Sequence, residues 1–412
     1  MIQVKDLFLS MEKSRVLFFI SHLIYNMILF IFTILITKLL GPEKWGEITL
    51  FSLIATYSGI FTLGINNGMG ITLPINIGKK DNLFCKKVLS SSKTSLVLSF
   101  IPIILFQFIL LNYLNFSLNE VFILFFFTVS IQILSYFKIF LRSYELFRVF
   151  SYTYLIQTFS LFFGFLIMRE NPNYLIILTF ANLSASAFVG LNKFYVKSEW
   201  KIDKEIFIKI FHIGLPVMMA GIVGELLLSI DRLVISIFLD NYQLGLYGFS
   251  SNFFKGIRII GIAVSIITLP RIAKSYAKKN KSQMLYHAKI QQWLSFALML
   301  IASSISGILI FNYVPILMPN FLESINISIV LLIVATILPL SFYPNILNII
   351  GKQKFYLFTQ IFIIVFNLTI SSIFIILGYG IEGVAFGSLI SMIVYVIIIR
   401  YFGIRALKKL KF

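Results

Sequence analysis

The chain has 412 residues, of which 59% are hydrophobic and 12% charged, and its mean hydropathy of +0.94 excludes a soluble globular domain and marks an integral membrane protein. A formal charge of +19 would suggest nucleic acid in a soluble protein, so the placement of the charges has to be read before their sign. The single cysteine, Cys85, excludes a disulfide framework, a thiolate metal site and a Cys-rich redox centre.

Apolar runs predict twelve membrane spans, at 16–38, 46–72, 95–114, 120–141, 149–168, 173–192, 207–238, 243–270, 290–312, 325–349, 355–378 and 382–402. About 20 residues at 1.5 Å each cross a hydrocarbon core of roughly 30 Å. The strands of a β-barrel would alternate, and these runs do not. The first run is too long for a signal-peptide core and no small-residue cleavage site follows it, so it reads as a retained helix. The second, seventh, eighth and tenth spans are the longest and are expected to tilt or bend. Gly46 and Gly64 in the second, Gly214 with Pro216 in the seventh, and Pro339 with Pro344 in the tenth are the expected bend points.

With the N-terminus placed inside, the loops on that side hold 29 Lys and Arg, whereas the opposite loops hold Lys38, Lys44 and Arg169. This asymmetry predicts that both termini are cytoplasmic. Acidic residues divide seven and seven, so the positive charge is chiefly an orientation signal and the nucleic-acid reading falls away. The longest cytoplasmic loop, 271–289, has room for a brief amphipathic helix but not for a catalytic domain. Trp45, Trp200 and Trp293 lie at or near span ends, where indole rings favour the headgroup region.

The chain also repeats itself. The tetrapeptide ITLP at 71–74 returns at 267–270, and LLGPEKWGEITLFS at 39–52 aligns with FLDNYQLGLYGFSS at 238–251 at an offset of about 197 residues. Six spans separate the copies, an even number, so the halves 1–206 and 207–412 share one orientation. This is the parallel-repeat plan of alternating-access transporters, which bind substrate between the halves near the midplane. The expected fold is an all-α polytopic protein of two pseudo-symmetric six-helix bundles.

Metalloprotease, Walker A and nucleophile-elbow signatures are missing, and His22, His212 and His287 are far apart, so neither an enzyme nor a cofactor is expected. Five ionisable residues fall inside spans: Glu225, Asp231 and Arg232 in the seventh, Lys255 and Arg258 in the eighth. Each costs about 2.5–3.5 kcal/mol at a helix centre facing lipid, so they must pair or line water. Lys255 and Arg258 share a helix face, and Glu225 reaches a depth similar to that of Lys255, which suggests a Glu225–Lys255 ion pair. Arg258 is then left for an anionic ligand, with Arg232 as a further cation, and Asp231 and Arg232, nearer the outer surface, are placed to close or gate the external side. The guanidinium fork suits a phosphate. Coupling to protons or sodium is left open, with Glu225 and Asp231 as its candidates. Asn26, Asn66, Gln132, Gln157, Asn182 and Asn345 are amides at membrane depth that can bind sugar hydroxyls or bond between helices.

With GINNGMGITLP at 64–74, GLPVMMAGIVGELLLSIDRLVISIFLDNYQLGLYGFSS at 214–251 and GYGIEGVAFGSLIS at 378–391, the chain resembles the Wzx-type O-antigen and polysaccharide flippases of the multidrug/oligosaccharidyl-lipid/polysaccharide (MOP) exporter superfamily. The resemblance implies a MATE-like, V-shaped pair of bundles and a cationic central cavity. It implies a cargo of undecaprenyl-pyrophosphate-linked oligosaccharide carried from the cytoplasmic to the periplasmic face of a bacterial inner membrane, in O-antigen or other polysaccharide synthesis. Lys255 and Arg258 would then meet the pyrophosphate. The partners it implies are the lipid-linked oligosaccharide, membrane lipids, a polysaccharide polymerase and a chain-length regulator, and no nucleic acid. A drug or cation antiporter of the same superfamily is the alternative, and a polymerase-like membrane enzyme the alternative of another class.

Overall fold

The computed structural model describes residues 2–168, 173–192, 198–341, 346–347, 350 and 352–408. In chain order the helices are α1 Ile2–Ser58, α2 Ile65–Gly78, α3 Asn82–Leu98, α4 Phe100–Tyr113, α5 Leu118–Ser143, α6 Phe147–Ile167 and α7 Tyr174–Leu191. There follow α8 Lys204–Leu227, α9 Ile230–Phe238, α10 Asn241–Ala277, α11 Lys281–Leu317, α12 Ser324–Ile337, α13 Gln353–Ile376 and α14 Gly380–Lys408, with no strand among the described residues. Ten helices among these residues are long and apolar enough to cross a membrane, and one of them, Lys13–Thr62, contains the first expected span and most of the second. The seventh expected span is divided between α8 and α9, and the eighth lies within α10.

Local chemistry sets the helix ends. Ser117 caps α5 in a reciprocal box with Glu120, whose carboxylate accepts the Ser117 backbone N–H at 2.8 Å. Asp81, Asn173 and Asn280 each accept a backbone N–H in the first turns of α3, α7 and α11. The breaks are more selective than the sequence suggests. Gly64 does interrupt the second span, at φ 72°, but the break within α1 is at Gly41, at φ 76°, rather than at Gly46. Gly214 and Pro216 lie inside α8, and the chain breaks instead at Leu228 and Ser229. Pro344 is outside the described residues.

The chain forms two compact units, unit 1 comprising Met1–Ile36 and Phe51–Ile222 and unit 2 comprising Thr37–Leu50 and Val223–Phe412. This division differs from one at 206/207, and glycines give the physical reason. In unit 1, Gly64 and Gly68 of the second span meet Gly214 and Ile210 of α8 so closely that a methyl group on any of these three glycines would overlap backbone of the partner helix. Ile206 and Ile210 are buried in one core with Met69, Leu73, Leu89 and Phe140. In unit 2, Gly46 sits on the Asn241 carbonyl and Gly245 on the Pro42 carbonyl in the same manner. Lipid leaves little hydrophobic force to join helices, so close backbone approach at small residues supplies the packing. Gly46 and Gly214 are therefore contact residues, not hinges.

The start of α8 is fixed within unit 1 by a polar anchor as well. Asp203 Oδ1 accepts the Ile206 N–H at 3.2 Å, and its Oδ2 lies 3.0 Å from Lys87 Nζ on α3. The Lys87 ammonium holds the Asp203 carboxyl below the usual carboxylate range.

Candidate anion-binding site

The five membrane charges all belong to unit 2, where the structure separates them into two settings. The first is the α8–α9 break. Because the helix stops at Leu227, the Leu228 carbonyl has no helical partner and accepts Arg232 Nη2 at 3.0 Å. Asp231 occupies the first turn of α9, where its charge suits the helix dipole and its Oδ1 accepts the Arg232 backbone N–H at 2.8 Å. Arg232 Nε lies 3.9 Å from the same oxygen, and Arg232 is only 8% exposed. Arg232 is thus held by the break itself and is not among the residues lining the larger cavity of this unit.

The other Asp231 oxygen, Oδ2, accepts the Tyr247 hydroxyl at 2.6 Å. Tyr247 approaches Ser388 at 3.4 Å, Asn367 Nδ2 donates to Ser388 Oγ at 3.3 Å, and Ser371 donates to Asn367 Oδ1 at 2.9 Å. A cavity of about 30 Å³, lined by Asp231, Ser251, Asn367, Ser388 and Ser391 among others, adjoins this chain. That is room for a water or a small cation beside a carboxylate.

The second setting is α10. Lys255 and Arg258 do share a face of this helix, as their spacing requires. The Glu225–Lys255 pair is not formed. Neither residue belongs to an ion pair within 4.0 Å among the described residues, and both side chains are exposed. The helix that carries Glu225 ends two residues later, at Leu227, so depth counted along one continuous helix does not fix the pairing.

Arg258 lines a cavity of about 350 Å³ with Gln291, Gln292 and Ser295 of α11, Ser341, Tyr356 of α13 and Tyr395 of α14. No Asp or Glu is among its lining residues. Gln360 Nε2 donates to the Tyr356 hydroxyl at 3.0 Å, and the buried Gln291 Oε1 has no donor. A cation, two carboxamides and several hydroxyls around one space can neutralise an anion and bond to hydroxyl groups attached to it. Lys255 is not part of this lining. Gln291 and Gln292 escaped the sequence reading because they sit at the edge of the ninth apolar run, where adjacent amides look like a span boundary. The structure extends that helix nine residues further toward its N-terminus, to Lys281.

The amide candidates of unit 1 divide as well. Asn26 Nδ2 bonds to the His22 carbonyl at 2.7 Å, a contact within its own helix. Asn66 Nδ2 donates to the Gln132 carbonyl at 3.3 Å, and the Gln132 side chain lies against Gly59, so both serve helix contacts. Gln157 Nε2 donates to Asn182 Oδ1 at 3.0 Å, and both line a cavity of unit 1. Asn345 lies outside the described residues.

The fold is similar to those of solved MOP-superfamily transporters. An inward-facing multidrug resistance MATE family transporter of that superfamily matches with a TM-score of 0.75 at 14% identity, over 94% of this chain and 96% of that one. A MOP superfamily transporter from Pyrococcus furiosus, whose binding pocket is described as reversed in polarity, matches with a TM-score of 0.57 at 16% identity over 96% and 95%. An uncharacterized membrane protein of Methanocaldococcus jannaschii is 29% identical over 206 residues, 48% of this chain and 46% of that protein, so the match spans about half the length of this curated relative. The family model described as polysaccharide biosynthesis protein matches residues 35–299, well over half of the chain. The chain belongs to this family, as its motifs led one to expect.

Proposed function

We propose that the protein is a flippase that carries a polyprenyl-pyrophosphate-linked oligosaccharide across the cytoplasmic membrane by alternating access, in polysaccharide synthesis. The observation that carries this reading is Arg258: a guanidinium lining a 350 Å³ cavity of amides and hydroxyls with no carboxylate among its walls. Membership of a polysaccharide biosynthesis family supports the cargo, and the fold supports transport without covalent chemistry. The pyrophosphate would meet Arg258, sugar hydroxyls would meet Gln291, Gln292 and the tyrosines, and the polyprenyl chain would stay in lipid. Lys255, exposed on the same helix face, would draw the anion in. An exporter of cationic drugs needs an acidic or apolar pocket, which this cavity is not. Asp231, with its adjoining small cavity, is the group we assign to any coupling ion. The Lys and Arg asymmetry supports cytoplasmic termini.

The reading is tested in cells that lack the chromosomal copy. Arg258→Ala at normal protein level should accumulate the lipid-linked precursor and lose surface polysaccharide, and Arg258→Lys should restore part of it. Full surface polysaccharide in both variants would reject the assignment.

A further inference from the structure

Unit 1 holds a larger cavity, about 630 Å³, built from other residues. Its walls include two cations, Lys138 and Arg142, and no carboxylate. The sequence counts both among the loop charges, but α5 continues through Ser143 and sets them four residues apart on one helix face. Lys138 Nζ lies 4.7 Å from the ring centre of Tyr154 and 5.8 Å from that of Tyr25. No ion pair within 4.0 Å involves either cation among the described residues. The aromatic faces stabilise the ammonium without neutralising it. Arg142 is exposed, and its guanidinium lies alongside Gly70 on α2.

The neutral side of the cavity is equally specific. Gln157, only 1% exposed, donates to Asn182 at 3.0 Å and to the Tyr25 hydroxyl at 3.4 Å. Its Oε1 is buried and has no donor. Two unneutralised cations call for an anion, and an acceptor with no donor calls for a hydroxyl. Inorganic phosphate in its dianionic form has at most one hydroxyl and a phosphodiester has none, whereas a sugar acid or sugar phosphate offers several.

We infer that this cavity is a second ligand site, one that binds a saccharide bearing a carboxylate or a phosphate. The charge sits between Lys138 and Arg142, a ring hydroxyl donates to Gln157 Oε1, and the sugar ring lies beside Tyr25. The volume falls within the roughly 300–1,000 Å³ of ordinary ligand pockets. The inference rests on the proposed function for the expectation of a sugar-bearing cargo, and adds that the cargo carries a charge on its saccharide as well as on its pyrophosphate.

The test uses the full-length protein with Arg258→Ala, so that the unit 2 cavity is disabled, in nanodiscs of zwitterionic phospholipid. Calorimetric titration with glucose 1-phosphate and with glucuronate should show binding at least about 10-fold tighter than with inorganic phosphate or glucose. Lys138→Gln or Arg142→Gln should each weaken it about 10-fold or more, with Lys138→Arg and Arg142→Lys retaining most of it. Gln157→Leu should remove the preference for glucose 1-phosphate over phosphate. Arg142 is exposed, so its variants remain interpretable if Lys138 variants fail to fold. Equal binding of phosphate and glucose 1-phosphate, affinity indifferent to both cations, or a signal obtained only on adding phosphatidylglycerol would each overturn the inference. Loss of translocation in Arg258 variants without saccharide binding here would overturn it while leaving the transport reading intact. Binding here, with translocation indifferent to Arg258, would do the reverse.

Discussion

Tyr247 donates its hydroxyl to Asp231 Oδ2 at 2.6 Å, joining α10 to the first turn of α9 in unit 2. Tyr247 is fully buried, so the bond is shielded from water. Tyr247→Phe should destabilise the protein by about 1.5–3 kcal/mol, the range for a hydrogen bond to a charged group. Thermal unfolding in detergent measures it; an unchanged midpoint would mean that water satisfies Asp231 equally well.

The glycine contacts predict a contrast within one helix. Gly214→Ala forces a methyl group against the Gly64 backbone and should cost on the order of 1–3 kcal/mol or more, because backbone cannot step aside as a side chain can. Gly221→Ala in the same helix meets nothing within 4 Å and should be neutral or stabilising by up to about 1 kcal/mol. Expression level and unfolding midpoint of the two variants read the difference directly.

The Lys87–Asp203 anchor predicts a pH dependence. The folded pKa of Asp203 is depressed, so its contribution is present above the unfolded value of about 3.9 and is lost as pH falls through the lower folded value. The midpoint deficit of Asp203→Asn relative to the parent should therefore be largest near neutral pH and shrink as pH is lowered below about 4. A deficit that stays constant down to pH 3 would show that the charge of Asp203 does not contribute to stability.

Gln291 separates function from stability. Its Oε1 already lacks a donor, so Gln291→Leu should leave the unfolding midpoint unchanged or raise it slightly. Transport should fall nonetheless, because the carboxamide faces the Arg258 cavity for a ligand to use. Reduced stability together with normal transport would contradict this division of labour.

The apolar runs long enough to become membrane-length helices, and the cation at Arg258, were legible from residue type and spacing, because hydrophobic length and buried charge are properties of single segments. What could not be read is three-dimensional. The α8–α9 break falls at Leu228 and Ser229, which carry no glycine or proline signal, and it is this break that turns Arg232 onto the Leu228 carbonyl. Gly46 and Gly214 look like hinges in a linear pattern, but their purpose depends on the backbone lying opposite them. Lys138 and Arg142 were hidden in another way: basic residues near a span end fit the orientation rule, so their four-residue spacing passed as loop composition. Subtracting these two from the 29 inside charges still leaves the asymmetry overwhelming.

The most direct measurement is the rate at which proteoliposomes deliver a polyprenyl-pyrophosphate-linked saccharide to the opposite leaflet, compared at equal protein for the parent, Arg258→Ala, Arg258→Lys and the Lys255→Ala/Arg258→Ala double variant. The account predicts a fall of about 10-fold or more for Arg258→Ala, partial retention for the lysine, and the lowest rate for the double variant. A double variant that is properly folded and delivers the lipid at the parent rate would contradict the claim that this cavity exists to hold the pyrophosphate.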